Sequence, residues 1–161
     1  MRSIGATMAS ISDYGTAFAA LTATLLISAS ANGQNSTSAT GAVDLTMTNA
    51  RNTRGNILIC LTSNADKFPD CRGDATARTL TISASASHAR FSNLAAGTYA
   101  VSMIHDENAN GRMDMRLFLP REGFGFSRNP AIGMGPPRFT SASFTVGAGT
   151  VEQAVRIRYL L

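Results

Sequence analysis

Beyond residue 40 the apolar residues recur mostly at every second position, the pattern of half-buried β-strands. Val43, Leu45 and Met47 alternate with polar residues and predict a first strand. Asn56 to Leu61 (NILICL) is a continuous apolar run, the mark of a central strand covered on both faces. Leu80 and Ile82 alternate with Thr79, Thr81 and Ser83, and Ala89 to Leu94 predicts a short strand with Phe91 inward. Thr98 to His105 predicts a strong strand with Tyr99, Val101 and Met103 on one face. Phe144 and Val146 lie in another, and Val155, Ile157 and Tyr159 alternate with Arg156 and Arg158 in the last. Segments such as AAG at 95–97 and GAG at 147–149 punctuate the pattern, and no 3.6-residue apolar stripe follows residue 31. The expected fold class is all-β: a single antiparallel two-sheet β-sandwich of about seven strands over residues 42–161.

One stretch breaks this pattern. From Glu107 to Arg138 no strand can be placed, and the segment is rich in glycine and proline, ending in Pro136-Pro137 before Arg138. Structureless loops of this length are uncommon unless they are functional or held in place. Phe118, Phe124 and Phe126 would pin it to the sandwich or, alternatively, contact a ligand.

The N-terminal pattern differs again. Residues 17–31 (AFAALTATLLISASA) form an apolar run ending in small residues, with Ala29 and Ala31 in the A-x-A arrangement that signal peptidase accepts. The run is shorter than the ~20 residues of a spanning helix. Residues 1–31 are therefore expected to be a cleaved signal peptide, although Arg2 and Asp13 give it a weakly charged start. No lipobox cysteine follows, and neither a lipid nor a transmembrane anchor is expected. Residues 32–41 (NGQNSTSATG) are small and polar and read as a flexible leader. Export to an oxidising compartment predicts a disulfide between the only two cysteines, Cys60 and Cys71. A redox pair or metal ligation are the alternatives, but the spacing is not C-x-x-C and no histidine lies nearby.

Composition adds little to that picture. Charged residues make up only 15% of the chain, low for a cytosolic enzyme, and apolar residues 44%. The formal charge of +4 comes from scattered arginines without interleaved aromatics, which argues against a nucleic-acid partner.

The irregular loop opens on the one motif with chemistry. Asp106, Asn108, Asn110, Gly111 and Asp114 form D-x-N-x-N-G-x-x-D, the oxygen-ligand spacing of a calcium loop. Side chains at alternate positions converge when the chain curls, and glycine permits the sharp turn. Arg112 would offer its carbonyl oxygen. The bidentate Glu of an EF-hand is missing, since Leu117 stands there, and a strand rather than a helix precedes the loop. A missing ligand would have to come from elsewhere, with Glu122 the candidate. Two readings remain open: a weak calcium site, or an Asx-rich turn that needs no metal.

His105 is expected on the Tyr99, Val101, Met103 face, opposite Asp106; the reading is a strand-end histidine bonded locally, with acid–base chemistry as the alternative. His88 sits in a polar segment without distinctive context. No G-x-S-x-G nucleophile elbow and no zinc ligand set are present, and the few carboxylates fall mostly in the calcium-like loop, though spacing alone does not exclude a glycosidase pair.

The segments GTYAVSMIHDENANGRMD, GFGFSRN and GPPRFTSASFTV, at 97–114, 123–129 and 135–146, resemble an exported bacterial family, domain of unknown function 2141. Gly97-Thr98-Tyr99, His105 to Asp114 and Gly125-Phe126-Ser127-Arg128-Asn129 carry the resemblance, with KFPDC at 67–71 similar to that family's F-P segment; Arg121-Glu122-Gly123 departs from it. The resemblance covers roughly residues 42 to 160. It implies a transthyretin-like or prealbumin-like sandwich, a relative of the immunoglobulin-like arrangement, and export; it implies no activity. The expected protein is a non-enzymatic periplasmic or secreted binding module, with Ca2+ as a candidate cofactor. Its partner would be an envelope polysaccharide, peptide or protein, and its candidate ligand surface comprises His105, Phe124, Phe126, Arg128 and Asn129. The alternative is a small hydrolase or isomerase using His105 with a nearby carboxylate.

Overall fold

The computed structural model describes residues 40–161; the expected signal peptide and nearly all of the leader lie outside the described residues. The long strands fall where alternation places them: β1 (Gly41–Thr48), β2 (Asn56–Thr62), β3 (Arg78–Ser83), β4 (His88–Leu94) and β5 (Gly97–Asp106). The short strands β6 (Met115–Arg116), β7 (Leu119–Pro120) and β8 (Gly123–Phe126) follow, then a one-turn helix α1 (Phe139–Ala142), β9 (Phe144–Val146) and β10 (Gly149–Arg156).

These strands build a sandwich-like arrangement. A three-stranded sheet runs β10-β1-β4; a five-stranded sheet runs β3-β2-β5-β8, with β9 also on β5; β6 and β7 form a separate hairpin. Between the two larger sheets lie Val43, Leu45 and Met47 from β1, Ile57, Ile59 and Leu61 from β2, Val101 and Met103 from β5, and Val155 and Ile157. All are buried. At ~25 cal/mol per Å² of apolar surface removed from water, this layer is the main source of stability. A second, smaller cluster covers the outer face of the five-stranded sheet: Ala100, Phe124, Phe126 and Ala142, with Phe68, Met113, Ile132 and Phe139 against them. Phe68 meets Phe126 at 5.8 Å and Phe139 at 5.9 Å between ring centroids, an aromatic lid over β8. Cys60 and Cys71 are joined by a disulfide, tying the central strand to the loop after it.

Three expectations are corrected. Among the described residues there are three sheets and ten strands rather than two sheets and about seven strands. The sandwich is not wholly antiparallel: β1 pairs parallel with β10 from Gly41↔Gly149 to Thr48↔Arg156. The chain crosses between the sheets after β9, so its last strand returns beside its first in the same direction. The stretch 107–138 contains three strands, and β8 pairs with β5 from Ser102↔Phe126 to His105↔Gly123.

Strand β8 hides because of its glycines. A Cβ on Gly125 would stand 2.8 Å from Val155 Cγ1, and one on Gly123 would stand 2.4 Å from the Tyr159 ring. Glycine therefore lets the opposite sheet's side chains approach the backbone, while Phe124 and Phe126 turn to the outer cluster. Beyond β8 the edge passes to residue 158: the Phe124 N–H donates to the Arg158 carbonyl at 2.9 Å, and the reverse bond is 2.8 Å. Ser127 fills the step between β8 and β9. Its hydroxyl accepts from the Val101 N–H at 2.9 Å and donates to the Ala142 carbonyl at 2.6 Å.

Candidate functional site

Strand β5 ends in two fully buried polar residues, His105 and Asp106. Burial of this kind requires hydrogen-bond partners, and both have them. Asp106 accepts from the Asn110 N–H at 3.0 Å and the Gly111 N–H at 2.7 Å, so one carboxylate curls the loop back on itself. Ala109 and Gly111 take left-handed backbone conformations, with φ of 57° and 80°. No atom crowds Gly111; its φ, not its space, calls for glycine there.

The curl brings the polar side chains together. Asn108 donates its amide to one Asp114 oxygen at 2.8 Å, and Asn110 donates to the other at 3.0 Å. The two amides, Asn110 foremost, hold the Asp114 carboxyl below its usual range. The amide oxygens of Asn108 and Asn110 accept from the N–H groups of Asn110 and Arg112 in Asx turns of 3.1 and 3.0 Å. Asp106, Asn108, Asn110 and Asp114 thus share one turn. Their oxygens are hard donors suited to calcium, but in this arrangement backbone N–H or amide groups engage them. Among the described residues no three His, Cys, Asp or Glu side chains are placed to hold a metal.

Glu122 braces this turn from the start of β8. It is 4% exposed and accepts from the Glu107 N–H at 3.1 Å and the Asp114 N–H at 3.0 Å. Its two oxygens clip together the two ends of the loop. Glu122, the candidate for a missing ligand in the calcium reading, has both oxygens engaged by backbone groups.

A polar chain runs beside it. Arg51 Nε donates to Glu107 at 2.8 Å, and Asn52 donates to the same oxygen at 2.6 Å. The Arg51 guanidinium, helped by Asn52, holds the Glu107 carboxyl down to about 2 from its ordinary 4.5. Arg51 also lies 4.4 Å from the centroid of the Tyr159 ring, a cation–π contact. The Tyr159 hydroxyl lies 2.6 Å from His105 Nδ1, and His105 Nε2 lies 2.9 Å from the Arg54 carbonyl. A carbonyl only accepts, so Nε2 carries a proton, and in the neutral ring Nδ1 accepts from the tyrosine. Burial pushes the Tyr159 phenol up, which keeps it a donor.

The candidate ligand surface does not form one surface. His105, Phe124 and Phe126 are buried. Arg128 and Asn129 are exposed but occupied: Arg128 donates to the Ser143 carbonyl at 3.0 Å, and Asn129 caps the β10 edge through the Ala154 carbonyl and the Arg156 N–H, both at 2.8 Å. Phe118, expected either to pin the loop or to contact a ligand, does not pack on the sandwich and is 95% exposed at the β6–β7 turn.

Two features were missed from sequence. One is an open hollow of about 440 Å³ lined in part by Phe124, Ile132, Arg156, Arg158 and Tyr159; its signal was the outward alternation of Arg156 and Arg158. The other is the exposed apolar tip of the β6–β7 hairpin, whose signal was the run MRLFLP at 115–120 without a core partner.

The chain matches over residues 45–154 the family described as an uncharacterised protein conserved in bacteria, DUF2141. It belongs to that family. Neither a curated protein nor a solved structure matches it. The turn from Asp106 to Asp114 and the β8 segment both lie inside the DUF2141 match. Among the described residues no helix is long and apolar enough to cross a membrane.

Proposed function

We propose that this DUF2141 protein is a non-enzymatic module, exported to the periplasm or beyond, whose sandwich holds out the arm 106–121 as a binding element for an envelope component. Calcium at Asp106, Asn108, Asn110, the Arg112 carbonyl and Asp114 would order that arm. One observation carries the reading: among the described residues no buried side-chain nitrogen or oxygen lacks a hydrogen-bond partner. The buried polar groups beneath the arm, Asp106 and Glu122, brace it through its backbone N–H groups. The alternative, a hydrolase or isomerase built on His105, needs a ring nitrogen within reach of a substrate. Full burial and two engaged nitrogens count against it.

For calcium to bind, the Asn108 and Asn110 amides would rotate to present oxygen in place of the nitrogens now holding Asp114. Two carboxylates among the ligands imply weak affinity. The test is thermal unfolding in chelator and in millimolar calcium. Calcium present at about tenfold over its dissociation constant stabilises by about 1.4 kcal/mol, so the wild-type midpoint rises. Asp114→Ala abolishes the rise; it is a cleaner variant than Asp106→Ala, because Asp106 also holds two backbone N–H groups. No rise in the wild type withdraws calcium from the proposal.

A further inference from the structure

We propose that the β6–β7 hairpin is a membrane-docking finger whose tip enters the interface of an anionic phospholipid bilayer. This deepens the reading of the arm as the binding element and rests on it.

The tip is built against the usual preferences of a turn. Leu117 and Phe118 occupy the two turn positions with φ of 47° and 68°. Left-handed conformation at both positions normally selects Asn-Gly or Asp-Gly. Large apolar residues there gain nothing from the fold, because Leu117 is 84% and Phe118 95% exposed. Met115 and Leu119 beside them are 55% and 45% exposed. Four of the seven large apolar residues exposed among the described residues thus fall within five consecutive positions. Strained backbone that displays apolar side chains to water marks a surface selected for contact.

Charge selects the kind of partner. Arg112, Arg116 and Arg121 flank the tip and are exposed. Among the described residues the side chains of Arg116 and Arg121 take part in none of the ion pairs. The acidic groups nearby are engaged: Asp114 by Asn108 and Asn110, Glu107 by Arg51, and Glu122 by two backbone N–H groups. The charge that reaches the surface around the finger is positive, because Asp106 and Glu122 are buried and Glu107 and Asp114 are largely covered, whereas the three arginines are exposed. An apolar tip above a cationic base is the pattern of an interfacial anchor: apolar side chains enter the acyl boundary and arginines meet the phosphates. A narrow convex tip fits a fluid bilayer directly, whereas a protein partner would have to supply a matching pocket.

The chain contains no tryptophan, so Phe118→Trp supplies a sole reporter at the tip. In the full chain its emission should shift to the blue on adding vesicles of phosphatidylcholine with phosphatidylglycerol. Phosphatidylcholine alone should give little shift, and salt should reverse it. Leu117→Asn with Phe118→Gly gives the turn its preferred residues, so the fold is kept, and vesicle co-sedimentation should fall at least about tenfold. Arg116→Gln with Arg121→Gln should weaken it by about fivefold per arginine. All variants share residues 1–39, so any binding by that segment is common to them. The proposal is overturned if the reporter stays water-exposed with anionic vesicles, if the Asn-Gly variant binds like the wild type, or if the reporter shifts without lipid because a second copy covers the tip. A silent reporter beside an intact calcium shift sinks the lipid partner and leaves the calcium-ordered arm. Vesicle binding without a calcium shift does the reverse.

Discussion

Glu122 offers the sharpest test of how the arm is held. Glu122→Gln keeps the side chain's size and removes one acceptor and the charge. In the wild type its two oxygens receive the N–H groups of Glu107 and Asp114 at 3.1 and 3.0 Å, in a site where Glu122 is 4% exposed. Glutamine has one oxygen, so its NH2 must face the other N–H, donor against donor. Turning one charge-assisted bond into a neutral one loses about 1 kcal/mol, and orphaning a buried N–H costs about 1–3 kcal/mol more. Relief of the buried carboxylate's desolvation returns part of this. The net expectation is a loss of about 2–3 kcal/mol, a fall in melting temperature of about 8–12 °C for a domain of this size. Calorimetry measures the fall. Amide exchange localises it: Glu107 and Asp114 should lose about 30-fold or more in protection, while Val101 and Ile59 change only as global stability does. A melting temperature within about 2 °C of wild type, or unchanged protection at those two amides, would refute the bracing role.

Acid should weaken the protein partly through Glu107. Its folded pKa of about 2 lies below the ordinary 4.5, so its stabilisation is present above pH 4.5 and is lost as pH falls toward 2. The full shift would correspond to about 3 kcal/mol, and with Arg51 39% exposed, screening leaves about 1–2 kcal/mol. Wild type and Glu107→Gln should therefore differ at pH 6 by about that amount and converge near pH 2 in urea titrations; parallel curves would contradict the assignment. Reducing the Cys60–Cys71 disulfide, which closes a loop of sequence separation 11, should cost about 3 kcal/mol. A loss below about 1 kcal/mol on adding reductant would mean that the loop is restrained in the unfolded chain by other means.

The long strands were legible because a half-buried strand writes its buried face at every second residue. Val43, Leu45 and Met47 are buried as the alternation requires, and so are Val101, Met103 and His105. Alternation says nothing about a strand's partner or its direction, which is why the parallel pairing of β1 with β10 was not foreseen. β8 was invisible for a different reason: Gly123 and Gly125 stand where apolar residues would be expected, because the opposite sheet fills their space. Phe118 left two readings open, a pin for the loop or a ligand contact, because an aromatic residue alone does not say which; the two-residue strands leave it exposed at the turn. At the site, D-x-N-x-N-G correctly implied a curl around Asp106. The sequence could not reveal that Glu122 clips both ends of that curl, because its partners are backbone groups 15 and 8 residues away.

The His-Asp pair that ends β5 is hydrogen-bonded on both sides within the fold. His105 connects through Tyr159 to Arg51, Arg51 to Glu107, and Glu107 by its N–H to Glu122, whose other oxygen holds Asp114. This chain joins the end of β5, the segment after β1, the C-terminal residues and the arm. Arg51 also donates to the Leu161 carbonyl at 2.7 Å and the Arg121 carbonyl at 3.1 Å, so the last residue and the foot of the hairpin meet on one guanidinium. A polar network in which each member is satisfied favours one geometry over many. Its consequence for function is mechanical. The base of the arm is fixed to the sandwich from several directions, while Leu117 and Phe118 beyond it touch solvent. A finger that must insert into a surface needs such a base, because movement there would dissipate the apolar contact made by its tip. The same reasoning separates the two halves of the arm experimentally. Substitutions in the network should change stability and leave the vesicle affinity of the folded protein nearly intact, whereas substitutions at the tip should change affinity and leave stability nearly intact.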